Sequence, residues 1–244
     1  MPLPFRLPSL LLLAALALQG CVTAVAPPAA PPVPDLPVAV TPREAGRLAA
    51  QTFIAVVDRV EPVAEAICRR QPGPRNCDIT IAVDDRPGLS PNAYQTVDSR
   101  GRPFVIFTLS LIAMANNPDE LAFVMGHEAG HHIAGHIPRR QGQAQSGAAL
   151  AGAIAQSAGA SADEVKRAQE AGAELAARQY SQEFELEADV LGAEIAYLSG
   201  FDPIKGAAFF DRLPDPGKKF LGTHPPNAQR KALVASTTRR LRGG

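Results

Sequence analysis

The chain has 244 residues, with Lys+Arg and Asp+Glu balanced at 24 each and 46% hydrophobic residues. A neutral balance without basic blocks removes the electrostatic footprint of a nucleic-acid binder and gives no reason to expect a strongly acidic partner. The length is enough for one domain with a real core once the two N-terminal segments described next are set aside.

Arg6 followed by the unbroken Leu/Ala run Leu10–Leu18 reads as an export signal, because the run is too short to span a bilayer as a mature helix. Leu18-Gln19-Gly20-Cys21 comes next and resembles a bacterial lipobox. It implies a lipoprotein signal peptide over 1–20, cleavage before Cys21 and lipidation of that cysteine. Val22 in place of Asp fits the outer membrane of a bacterial periplasm. Seven prolines fall within 22–42, so the segment from Cys21 to residue 42 is expected to be an extended tether. It would hold the folded part a few tens of ångströms off a membrane, at about 3 Å per residue.

The folded part, 43–244, opens on Thr41-Pro42-Arg43-Glu44, a capping box with Pro at the first helical position. The helix it starts should run to about Arg70, with Pro62 bending it. Cys68 and Cys77 flank a Pro/Gly-rich loop and, in an exported protein, read as a disulfide. Two β-type runs follow, Ile79–Val83 and Phe104–Leu109, with a turn-rich stretch containing Asn92-Ala93-Tyr94 between them. Asn117-Pro118-Asp119-Glu120 caps a second long helix. Residues 141–162 carry no charge, yet they are too polar and glycine-rich for a membrane span. They predict a mobile loop or a loosely packed helical hairpin, and their position makes them a candidate lid. One helix is expected over 163–199, then a break at Gly200, a short helix from Asp202-Pro203, a loop over 213–226 and a closing helix.

The second long helix carries four of the chain's five histidines, within His127-Glu128-Ala129-Gly130-His131-His132-Ile133-Ala134-Gly135-His136. Residues i and i+4 of a helix are about 40° apart around the axis, so His127 and His131 can aim both imidazoles at one zinc ion. Glu128 projects about 100° away, where it reaches a water rather than the ion. The pattern points to a zinc peptidase with one ion per chain. A zincin that takes a third histidine ten residues after the first is excluded, because that position is Ile137. On an ideal helix His136 lies about 180° from His127 and faces away from the metal, so His132 and His136 are expected in packing or helix-end roles.

Catalytic zinc wants a third protein ligand. Glu183, Glu185, Glu187 and Asp189 are the available acids in Ser181–Asp189, and spacing alone leaves the choice among them open. Glu185 and Asp189 share a face, so a carboxylate ligand with a supporting Asp one turn on is feasible.

His-Glu-x-x-His followed by Glu-Leu-Glu-Ala-Asp resembles the HtpX/CAAX-prenyl-endopeptidase family of gluzincins. The likeness extends to Asn92-Ala93, Asn117–Leu121, Gly200–Pro203, Thr223-His224-Pro225-Pro226 and Arg230. Gln182 departs from the Arg common in the family at that position. The short, lipid-anchored form is most similar to the LoiP/YcaL type. The resemblance implies an α+β, mostly helical zincin-like domain with a small sheet beside the histidine helix. It also implies Glu185 as third ligand, Asp189 as its outer support, Glu128 as general base, and site roles for His224 and Arg230. His224 would stabilise an oxyanion or close the resting site; Tyr180 and Tyr197 are alternative donors. The implied substrates are unfolded or misassembled envelope proteins, bound along a strand edge at 92–97. Two rivals are a noncatalytic lipid-anchored chaperone or assembly factor using the same cleft, and a purely structural zinc.

Overall fold

The computed structural model describes residues 41–179, 181–215 and 225–243. The expected signal peptide, Cys21 and nearly all of the tether lie outside them, as do Tyr180 and His224.

Helix α1 (Pro42–Arg70) starts where the Thr41 hydroxyl accepts from the Glu44 N–H at 3.2 Å, and it continues through Pro62. It buries Phe53, Val56, Val60, Ala64 and Ile67 along one stripe, as an amphipathic helix on a core should. Cys68, at its end, is joined by a disulfide to Cys77, which pins the loop that follows.

Three strands come next: β1 (Thr80–Asp84), β2 (Ala93–Val97) and β3 (Pro103–Thr108). Their order is β1-β3-β2, with β1 parallel to β3 and β2 antiparallel to it. Within the turn-rich stretch, the 92–97 segment expected to offer a strand edge is β2, and it lies at the edge of the sheet. Helix α2 (Leu109–Met114) leads into α3 (Pro118–Ile133), capped by the Asn117 side chain accepting from the Glu120 N–H at 3.0 Å.

Helix α3 is buried on nearly every side, because it is packed by α1, the sheet, α6 (Ser181–Leu198) and α7 (Pro203–Gly206). Its first turn holds a buried carboxylate, Glu120, which accepts from the Arg212 guanidinium and from the Asn116 N–H at 2.8 Å each. The α3–α6 contact is backbone on backbone. A Cβ at Gly126 would stand 2.9 Å from the Gly192 carbonyl oxygen, and one at Gly192 would stand 2.8 Å from the His127 nitrogen. Only glycine lets the two axes approach that closely.

Beyond α3, Gly135 takes the left-handed conformation at φ 67° and α4 (His136–Ser157) begins in a new direction. Helix α5 (Ala162–Gln179) packs along α4. Residues 141–162 thus belong to a helical hairpin that is tightly rather than loosely packed: Gly147 and Gly172 meet so closely that neither could carry a Cβ. The helix expected over 163–199 is described as α5 and α6. A 3₁₀ turn (Ala207–Arg212) follows α7, and α8 (Asn227–Gly243) closes the described chain. No helix among the described residues is long and apolar enough to cross a membrane.

Candidate metal centre

Burial of α3 brings one face of its His-Glu-x-x-His segment against α6. The Nε2 atoms of His127 and His131 are 3.1 Å apart. Glu185 on α6 places Oε2 3.6 Å from His127 Nε2 and Oε1 3.5 Å from His131 Nε2. An ion bonded at about 2.05 Å to three corners of a tetrahedron separates its ligand atoms by about 3.3 Å. These three residues, whose ligand atoms lie within 4.8 Å of one another, therefore fit a tetrahedral metal with a fourth position open to the cleft.

The supports are as specific as the donors. Asp189, one turn beyond Glu185 and fully buried, stands 2.9 Å from His127 Nδ1. It accepts a hydrogen bond from that nitrogen's N–H, the arrangement that lets Nε2 face the other donors as a lone pair. Arg230 from α8 grips Asp189 with Nε and Nη2, both at 2.7 Å, reaches Glu185 Oε2 at 3.3 Å, and lies over the Phe210 ring. Arg230 thus supports both acids, and it also lines the cleft.

These contacts set the protonation preferences. Burial works against charge on His127, but the hydrogen bond and charge of Asp189, helped by Glu185, outweigh it and raise its pKa above the usual value. Burial also opposes ionisation of Asp189, yet the Arg230 and His127 hydrogen bonds hold its carboxyl below the ordinary range. Burial and the neighbouring His127 push His131 down to about 3, so its ring is neutral and available as a donor. Glu128 is pushed up to about 7, first by burial and further by the Glu185 charge. That is the range in which a carboxylate exchanges protons near neutral pH.

Glu128 lies beside β2, where the Gln95 backbone works against its raised pKa. It stands where two cavities meet. One, of about 330 Å³, has an apolar wall of Leu111, Phe123, Val124, Phe209, Phe210 and Leu213. The other is lined by Tyr94, Gln95, Ile137, Arg140 and Phe184, together with Glu128 and Glu185. Tyr94 lies in the 92–97 segment expected to take substrate, but it was given no individual role from the sequence.

The structure corrects the placement of His136. His136 does not face away, because the helix period is broken before it: the Gly135 turn carries the chain back so that its ring packs on His131 at 4.9 Å between centroids. Glu187, assigned no role from spacing, bonds His136. Glycine alone did not mark the break in the sequence, because Gly130 in the same run stays helical while Gly135 turns left-handed. His132 is turned outward, with Nε2 2.6 Å from the Asn76 carbonyl oxygen next to the disulfide. His224 lies outside the described residues.

A mostly helical α+β domain with a small sheet beside a His₂Glu cluster defines the class: a zincin-like metallopeptidase domain. The sequence model of peptidase family M48 matches residues 55–237, and the chain belongs to that family. No individual curated protein matches it.

Proposed function

We propose that the chain is a zinc endopeptidase in which His127, His131 and Glu185 hold the ion and Glu128 is the general base. The observation that carries this reading is the convergence of three donor atoms at tetrahedral separations, with Glu128 beside them at the mouth of an apolar cleft. A zinc ion held by these residues would supply Lewis acidity for the scissile carbonyl and for a water.

The protein's own groups do the rest. Asp189 and Arg230 hold His127 and Glu185 in register. Glu128 accepts the water's proton and returns it to the leaving amine. An extended substrate pairs with the free edge of β2, whose first residue Ala93, with Asn92 just before it, lines the cleft beside Glu128. Backbone pairing of that kind favours unfolded or misassembled chains over folded ones. The apolar wall selects the side chain next to the cut. The lipobox-like Leu18–Cys21 supports a lipid-anchored protein of the bacterial periplasm at the outer membrane, and the Cys68–Cys77 disulfide is in keeping with an oxidising compartment.

The test is digestion of unfolded casein by the purified protein and by Glu128→Gln, with and without a chelator. Cleavage should need the metal and fall by about 10²–10⁴-fold in Glu128→Gln, which should still bind zinc. Wild-type rates in that variant would sink the mechanism. Fatty-acid labelling that disappears in Cys21→Ser checks the anchor.

A further inference from the structure

The two histidines of the cluster are supported differently. His127 is backed directly by a carboxylate, Asp189. Among the described residues His131 has no carboxylate on its outer nitrogen; its Nδ1 stands 2.7 Å from the Nδ1 of another histidine, His136. We propose that His136 and Glu187 form a positioning relay that orients His131 and fixes it in the tautomer a metal requires. The inference rests on the metal reading proposed above and concerns residues to which that reading gives no role.

The direction of every link is forced. Two imidazole nitrogens 2.7 Å apart share one proton between them. His131 can offer Nε2 to a metal only if its own N–H is on Nδ1, so His131 donates and His136 accepts. His136 must then carry its proton on Nε2, which is 3.2 Å from Glu187 Oε2. Glu187 receives that bond together with one from Arg139 Nη1 at 2.7 Å. Reversing any one link would place a proton on the face of His131 that looks toward His127 and Glu185.

The ring of His136 is also held mechanically. It stacks on Phe184 at 4.4 Å with 10° between the planes, and the Arg139 guanidinium covers the same Phe184 ring at 4.4 Å. Phe184 is the immediate neighbour of the ligand Glu185, so the relay and the third ligand move as one piece. The left-handed Gly135 puts His136 at the start of α4 within reach. His136 is buried, whereas the Glu187 and Arg139 side chains are each 44% exposed. Charge from that outer pair is screened by solvent. What reaches His131 is therefore geometry and tautomer, and His136 should matter more than Glu187.

The experiment measures zinc affinity of the purified protein by competition with a chromophoric chelator, together with the visible spectrum of its cobalt(II) form. His136→Leu keeps the bulk and removes the acceptor; His136→Asn keeps an oxygen close to the position of Nδ1. The expected result is a zinc affinity weaker by about 10–100-fold in His136→Leu, most of it recovered in His136→Asn, and a smaller loss in Glu187→Gln. The cobalt bands should shift in His136→Leu and return toward wild type in His136→Asn. Equal losses in the Leu and Asn variants, or wild-type affinity and spectrum in His136→Leu, would overturn the relay.

Nitrogen-15 spectra of the histidines in the zinc-loaded wild-type protein make the test independent of how any variant folds. His131 should be protonated on Nδ1 and His136 on Nε2, and a His136 protonated on Nδ1 refutes the proposal. If the wild-type protein takes up no zinc, it is the metal reading itself that fails.

Discussion

Replacing Gly192 by alanine tests whether the α3–α6 backbone contact sets the geometry of the metal centre. The added Cβ would stand 2.8 Å from the His127 nitrogen, 3.0 Å from its Cα and 3.3 Å from the Gly126 carbonyl carbon. Ordinary contact begins near 3.4 Å, so α6 has to retreat from α3 by at least about half an ångström, because helix backbone cannot swing aside as a side chain can. Alanine would gain about 1 kcal/mol of helix propensity. The overpacking costs about 1–3 kcal/mol. The net expectation is a loss of up to about 2 kcal/mol in the metal-free protein. The larger effect falls on the site. Glu185 is seven residues earlier on the same helix, about 10 Å along the axis, and the shift is comparable to the roughly 0.5 Å within which a metal site must be held. Zinc affinity should therefore fall while far-UV helicity is retained. Denaturant unfolding of the apo protein and chelator competition measure the two quantities. A Gly192→Ala protein that is more stable by the full propensity gain and binds zinc as tightly as wild type would refute the reasoning.

Asp189→Asn should destabilise the apo protein by about 3–5 kcal/mol, since it breaks a buried ion pair and leaves the Arg230 charge poorly compensated. It should also weaken zinc binding by about 10–100-fold, and chemical unfolding with chelator competition separates the two losses. Arg212→Ala strands the buried carboxylate of Glu120 and should cost about 3 kcal/mol. Because Glu120 is two turns from His127, zinc affinity per folded molecule should stay at the wild-type value. Chelation should abolish peptidase activity and lower the melting temperature while leaving the helical circular dichroism intact, because the apolar cluster from Phe53 to Phe209 closes without the ion. Collapse of that signal on chelation would favour a structural metal instead.

What the sequence determined by itself is what short-range geometry controls. The Thr41-Pro42 and Asn117-Pro118 starts, the end of α1, and the placing of His127 and His131 on one helical face with Glu128 off it all depend on a few adjacent residues and a 3.6-residue period. The choice of Glu185 among four acids was different, since spacing left it open and only the family resemblance pointed to it. Tertiary structure decided it physically: Gly126 and Gly192 let α3 and α6 touch, and that contact presents Glu185 to the histidines while its neighbour Glu187 turns to His136. Packing likewise made β2 a free edge beside Glu128 and brought Arg230 from the last helix onto Asp189. His136 shows the boundary most clearly. Extrapolating the helix period through Gly135 sent it away from the metal; one left-handed glycine returned it to His131. Periodicity predicts direction only while the helix lasts, and contacts between distant segments are fixed by how closely their backbones can pack.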